Sequence, residues 1–442
     1  MRSSLAGNGR HGAALAASGA LAVIATMATA MLIRSGDFEG YVAMALLHGA
    51  LYLAAAALVF RVSFGRRWLF AILAVAVAMR LVALLPPPNL STDAFRYVWD
   101  GRLQSAGINP YLYVPADPRL DHLRDEAIYP HINQKERAVT IYPPAAQLLF
   151  RAAQWLGDSV LAIRIVMLAL DLVTIAAAIA ILHSLALPLQ RVLIYAWHPL
   201  PIWEFAGHGH IDAATTAGIA LGVLAVVRGR QAIGGAVLAV AVLTKYFPLL
   251  LLPALWRRWD WRMPLAAAGT AALLYLPFVG GAGTGVIGFL GQHLDNEGYV
   301  AGWGFHPVWL LRDFGLGDMS GRTYVALSLL VLGGLAVWSL FDRRTDEFRL
   351  DRVMLLGATF VFLTSPHYPW YFAFLVALLP CVPHPAAFAF TTLAPVLYLP
   401  RPPGGIGWTE IYAAVYWFPL ALFIVWEIWR RWRSPPVTTS SG

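Results

Sequence analysis

Apolar runs of about 18 residues or more recur along the whole of this 442-residue chain, each long enough to cross a bilayer as a helix. That feature leaves few folds open. A β-barrel needs alternating strands, and these runs are continuous. Disorder is excluded, because 59% of the residues are hydrophobic. Only 13% are charged, where a soluble domain carries about 25%. Mean hydropathy is +0.63. The chain reads as an all-α, polytopic transmembrane helical bundle, one integral membrane domain over 1–442.

Twelve spans are expected: 11–33, 39–60, 67–85, 159–184, 191–206, 212–227, 262–279, 322–341, 351–364, 367–382, 384–400 and 409–429. Two segments stand apart. The run 231–256 is interrupted by Thr244-Lys245-Tyr246-Phe247-Pro248, which predicts two half-helices in a hairpin. The run 143–156 is short and carries Gln147, Arg151 and Gln154, which predicts an interfacial or re-entrant helix.

Net charge is +8, a balance that in a soluble chain would suggest nucleic acid. Here the basic residues cluster between apolar runs, as cytoplasmic loops do, so no nucleic-acid partner is expected. With both termini inside, inner segments hold 18 arginines, among them Arg66, Arg67, Arg228, Arg230, Arg343 and Arg344. Short outer loops hold four, Arg34, Arg312, Arg322 and Arg401. The bias sets the topology. Ala28-Thr29-Ala30 fits a small-residue cleavage pattern, but the apolar stretch before it is long for a signal peptide. One cysteine, Cys381, leaves no internal disulfide and no Cys-based metal site.

That topology puts 86–142 outside as a loop of 57 residues. Loops this long are functional or disordered. Its tryptophan and tyrosines, Trp99 and Tyr142 among them, favour order. After Pro86-Pro87-Pro88, Ser91 or Thr92 can cap a helix in which Asp93, Arg96, Tyr97 and Asp100 share one face. Two carboxylates with an arginine between them can handle a proton and an anion together. The bland alternative is a capped interfacial helix, with Asp93 favourable at its positive end.

Three further features fall on the same side. Gly207-His208-Gly209-His210-Ile211-Asp212 joins two spans. Its His-x-His-x-Asp spacing suits a metal, but a polar turn with Asp212 capping the next helix is the simpler reading. Lys245 lies within an apolar run, where a lysine costs about 2.5–3.5 kcal/mol unless it meets water or an anion. Ser365-Pro366-His367-Tyr368-Pro369-Trp370-Tyr371 and the stretch around Trp303 and His306 fit an interfacial aromatic belt, except for their histidines. Arg80, Arg164 and Asp171 remain; Arg164 and Asp171 share a helix face as a pair or as part of a network.

The run from Thr92 to Arg102, then Gly107-Ile108-Asn109-Pro110-Tyr111, then Ile141-Tyr142-Pro143-Pro144, resembles the first outer loop of bacterial polyprenol-phosphate-mannose-dependent mannosyltransferases. These belong to the GT-C superfamily of membrane glycosyltransferases, near glycosyltransferase family 87. The Gly209–Asp212 turn, the hairpin around Lys245 and the Ser365–Tyr371 stretch are similar to that group too. Three spans precede the aspartate loop, where many GT-C proteins have one.

The resemblance implies an inverting transfer of a hexose, mannose first, from a polyprenyl-phosphate donor to a glycolipid or polysaccharide acceptor. The place implied is the outer face of a bacterial inner membrane. The first-loop aspartate of such enzymes is the catalytic base, and it maps onto Asp93. Lys245, His367, Arg96 and Arg102 are candidates for the donor phosphate. Asp100, Tyr142, His210 and Asp212 are candidates for substrate contact. No cofactor and no metal are expected, because a monophosphate leaving group facing cations can do without one. A transporter or flippase is the alternative from another class, suited by broken helices and intramembrane charge. Against it, the hairpin motif has no second copy, and the 57-residue loop carries seven acids.

Overall fold

The computed structural model describes residues 2–289, 298–302, 304–341, 349–400 and 407–433. Trp303, Arg343, Arg344 and Arg401 lie outside the described residues. Within them every regular element is a helix and there is no strand.

Six described helices are long and apolar enough to cross a membrane: Arg10–Ser35, Phe38–Arg61, Val160–Ser184, Arg262–Ile287, Gly321–Phe341 and Trp408–Arg430. All six fall on expected spans. The expected total of about twelve is not reached, and the sequence explains why. The helix Arg66–Ala83 carries three arginines, two of them at its start. Segment 191–206 breaks around His198-Pro199 and Pro201 into short turns. Asp212–Val227 and Leu350–Thr364 have 16 and 15 residues, roughly 22–24 Å of helix against an apolar core of about 30 Å. Segments 367–382 and 384–400 are divided into short helical pieces, with Pro369, Pro385 and Pro395 at the starts of three of them.

Two long helices pack little protein around themselves. Only 6% of the apolar window in Arg262–Ile287 is buried, and 11% of that in Gly321–Phe341. Their leucines, such as Leu273, Leu276 and Leu330, face outward. In water that surface would be unstable; in lipid it is what the helix requires.

Charges inside the bundle are matched. Asp171 accepts from Arg80 Nε at 2.6 Å and from the Tyr195 hydroxyl at 2.6 Å. Arg80 also donates to the Ala196 and Ala76 carbonyls. Arg164 and Asp171, expected as a pair or as part of a network, do not pair with each other: Asp171 is in a network with Arg80 and Tyr195. Arg164 instead donates to the Ala83 and Ala206 carbonyls at 2.8 and 3.0 Å. Both carbonyls lie at helix ends, where a cation is favourable.

The broken hairpin forms, with a less regular second arm. Helix Gln231–Val242 stops, and a 3-10 turn Phe247–Leu251 follows, then one α turn, Leu252–Leu255. The stop frees the Leu243 carbonyl. It accepts from Ala145 N at 2.9 Å and from Ala146 N at 3.3 Å, at the start of helix Pro144–Ala153. One element's unpaired acceptor thus satisfies another's unpaired donors. That ten-residue helix spans about 15 Å, too short to cross. Trp155, just beyond it, is 86% exposed.

Candidate active site

The aspartate helix runs Asp93–Ser105, as the spacing predicts. Thr92 is its N-cap residue but makes no side-chain cap; the Ser91 hydroxyl instead accepts from Asp93 N at 3.2 Å. Asp93 sits at the positive helix end. Its carboxylate is half-buried and accepts from Asn133 Nδ2 at 3.3 Å.

The rest of that helix is anchored from behind. Arg96 Nε donates to Asp100 at 2.9 Å, and its Nη1 donates to the Ala138 carbonyl at 3.0 Å. Gln147 Nε2 donates to Asp100 at 3.0 Å and reaches the Thr140 hydroxyl at 2.7 Å. Gln104 donates to the Gln147 carbonyl at 2.8 Å. This buried network ties the helix to helix Pro144–Ala153. Gly101 permits the contact: a Cβ there would stand 2.5 Å from the Phe150 carbonyl oxygen. Arg102 holds the long segment together, donating to Asp125 at 2.6 Å, Asp158 at 2.9 Å and the Leu123 carbonyl at 2.8 Å. Arg96, Asp100 and Arg102 thus have partners in the fold.

A second element brings the cation. Lys245 Nζ donates to both oxygens of Asp212, at 2.8 and 2.9 Å, and lies 3.8 Å from the centre of the Tyr371 ring. Asp212 is the first residue of its helix; the cap position is Ile211. So Asp212 answers Lys245 and does not cap.

Two residues before Asp212 comes His210. Its ring is fully buried and stacks on Trp370 at 3.9 Å, and Trp370 stacks on Tyr368 at 4.6 Å. Burial pushes the imidazole down to about 4; Asp93 and Asp212 raise it, and Lys245 lowers it. The three charges named from sequence therefore act on one ring. Gly209 makes the turn possible, with φ of +77° and a Cβ position 3.0 Å from Arg164 Cγ.

Tyr142 joins the same group. It is buried edge-on against Tyr97 at 5.0 Å, and its carbonyl accepts from the Tyr111 hydroxyl at 2.7 Å. Burial raises its phenol, and the Asp93 charge raises it further. His367 lies in an adjoining aromatic group, with Nε2 3.0 Å from the Gly304 carbonyl oxygen and its ring against Tyr299 and Trp408. Tyr368 connects the two groups.

Sequence reasoning assigned no role to Glu204, Tyr398 or Asn133, and took Trp370 and Tyr371 for belt residues. Glu204 had a signal: it is an acid inside an apolar run.

The sequence model of glycosyltransferase family 87 matches residues 140–366, just over half of the chain. The protein belongs to glycosyltransferase family 87. The matched region of this glycosyltransferase holds Tyr142, His210, Asp212 and Lys245; Asp93 precedes it and His367 follows it directly. No curated protein and no solved structure matches the chain. Membership accords with the apolar helices.

Proposed function

We propose that this glycosyltransferase moves a hexose, mannose first, from a polyprenyl-phosphate donor to a cell-envelope glycan or lipid, with inversion at the anomeric carbon. The observation that carries the reading is geometric: Lys245 holds both oxygens of Asp212 and lies over the Tyr371 ring, while His210, two residues before Asp212, stacks on Trp370, the neighbour of Tyr371. Transfer requires a base and a cation about one sugar, and the charges of Asp93 and Lys245 both act on the His210 ring. Asp93 takes the proton from the acceptor hydroxyl while the new C1–O bond forms, worth typically about 10²–10⁴-fold. The bond from C1 to the phosphate oxygen breaks, and its electron pair leaves on the phosphate. Lys245, already ordered by Asp212 and Tyr371, stabilises that growing charge. A β-mannosyl phosphate gives an α-mannoside. The arginine distribution supports cytoplasmic termini and a site on the outer face of a bacterial inner membrane. There the prenyl tail stays in lipid while its sugar reaches Asp93.

We include no metal in this reaction. Both Asp212 oxygens face Lys245, which already brings this carboxylate the positive charge a metal would supply. The test uses native membranes as the source of acceptor and labelled polyprenyl-phosphate mannose, glucose and arabinose as donors. Mannose transfer is expected, unaffected by EDTA, and Asp93→Asn should abolish it while the protein still inserts. Wild-type turnover in that variant would remove Asp93 as the base.

A further inference from the structure

Glu204 is an acid with no exposed surface, on a π-helical turn, Ile202–Gly207, in an otherwise apolar segment. Such turns are rare and occur frequently at functional sites. Its Oε2 lies 3.0 Å from His210 Nδ1 and accepts from the Tyr398 hydroxyl at 3.1 Å. The same Nδ1 lies 3.1 Å from the Glu204 backbone carbonyl. A carbonyl oxygen only accepts, so Nδ1 carries the hydrogen. In the neutral ring this leaves the lone pair on Nε2.

The other ends of this pair are open. His210 Nε2 and Glu204 Oε1 are buried atoms with no hydrogen-bond partner among the described residues. The same is true of His208 Nε2 and of the hydroxyls of Thr215 and Thr216 on the helix that follows the turn. A pair kept only for packing would close its polar atoms, because an unsatisfied buried group costs about 1–3 kcal/mol. A chain of contacts joins the aspartate helix to this ring: Tyr97 packs on Tyr142, Ala145 N donates to the Leu243 carbonyl two residues before Lys245, and Lys245 holds Asp212 two residues after His210. The Asp93 charge acts on the same ring.

We propose that Glu204 and His210 form a carboxylate–imidazole relay that clears the proton from Asp93 after each transfer. The inference rests on the reading of Asp93 as the base. Its balance is simple. The acceptor O–H bond breaks and its proton goes to the Asp93 carboxylate. The Asp93 O–H bond then breaks, and the proton goes to His210 Nε2, directly or through one water. The Glu204 backbone carbonyl holds Nδ1–H, the Glu204 carboxylate 3.0 Å from Nδ1 stabilises the resulting imidazolium by its charge, and the proton passes on to water. Glu204 acts through His210 and is a positioning residue. The arrangement resembles triad logic in that a buried carboxylate stabilises the charged ring, while here the backbone carbonyl of the same residue fixes the tautomer.

The test compares wild type, Glu204→Gln, Glu204→Asp and Asp93→Asn of the full chain in native membranes, with labelled polyprenyl-phosphate mannose. Glu204→Gln should lower kcat by about 10–100-fold, leave the donor KM within about twofold and raise the solvent deuterium isotope effect. Glu204→Asp should recover part of the rate. A wild-type kcat and isotope effect in Glu204→Gln, with Asp93→Asn inactive, overturns the relay and leaves the proposed function standing. Wild-type turnover in Asp93→Asn overturns both. A second measurement needs no donor: exchange of the His210 ring C2 hydrogen followed by mass spectrometry against pH. Losing the carboxylate should move the His210 midpoint to lower pH in Glu204→Gln; an unmoved midpoint overturns the relay whatever the substrate.

Discussion

At the scale of single residues, His210 is a ring whose protonation opposes the fold. Burial holds it down to about 4, and it holds His208 at about 4 as well. In an unfolded chain a histidine titrates near 6.5. Between those values the unfolded chain binds protons that the folded protein refuses. Stability is therefore complete above about pH 6.5 and is lost as pH falls toward 4. Replacing His210 with Gln removes one of these contributions. The slope of unfolding free energy against pH should flatten by up to about 1.4 kcal/mol per pH unit. Unfolding in detergent across about pH 4 to 7 measures it, and an unaltered slope would contradict the buried neutral ring. Lys245 poses a different problem, because its partner is also buried. Lys245→Ala leaves the Asp212 carboxylate alone, at a cost of up to about 3–5 kcal/mol. Adding Asp212→Asn should restore the unfolding midpoint but not the donor KM. If the double variant also regains wild-type donor KM, Lys245 serves the fold and not the phosphate.

At the scale of elements, the position of Asp93 depends on how closely two helices meet. Gly101 lets the aspartate helix lie against Phe150, and Gln104, Gln147 and Asp100 lock that approach. Gly101→Val must push the helices apart, because its Cβ would meet a backbone carbonyl and not a movable side-chain end. A fall in kcat of at least about tenfold is expected, with the protein still in the membrane, since misplacement by about 1 Å can cost 10²-fold. Wild-type kcat in that variant would show that the helix contact does not set the base. This helix was legible in sequence, since its capping residue and spacing are local. The partners of its side chains were not. Asp93 and Asp100 sit seven residues apart on the same expected face, yet Asp100 is bound by Arg96 and Gln147 while Asp93 acts on His210. Glu204 was hard to read for the same reason, since its meaning comes from Tyr398, which lies 194 residues away. Prolines decided the weaker spans: the apolar count over 367–400 could not show that the backbone would divide into short turns.

At the scale of the whole molecule, the question is what fixes this bundle across a bilayer. Apolar surface on Arg262–Ile287 and Gly321–Phe341 sets depth but carries no direction, since lipid treats both leaflets alike. The buried Arg80–Asp171–Tyr195 group ties three elements together and is equally blind to sidedness. Direction has to come from the arginines, which are retained on the cytoplasmic side. If they set it, the 86–142 segment and the Arg228–Arg230 turn stand on opposite faces. A cysteine probe can decide this, because Cys381 is the only native cysteine and can be replaced by Ser. Arg119 and Arg228 are both exposed, so accessibility does not bias the comparison. In intact cells, Arg119→Cys should react with a membrane-impermeant maleimide, and Arg228→Cys should react only after the membrane is opened. The reverse pattern would place Asp93 in the cytoplasm. A polyprenyl-phosphate sugar on the outer leaflet could not then be its donor, and the arginine count would have misled about the face on which the chemistry happens.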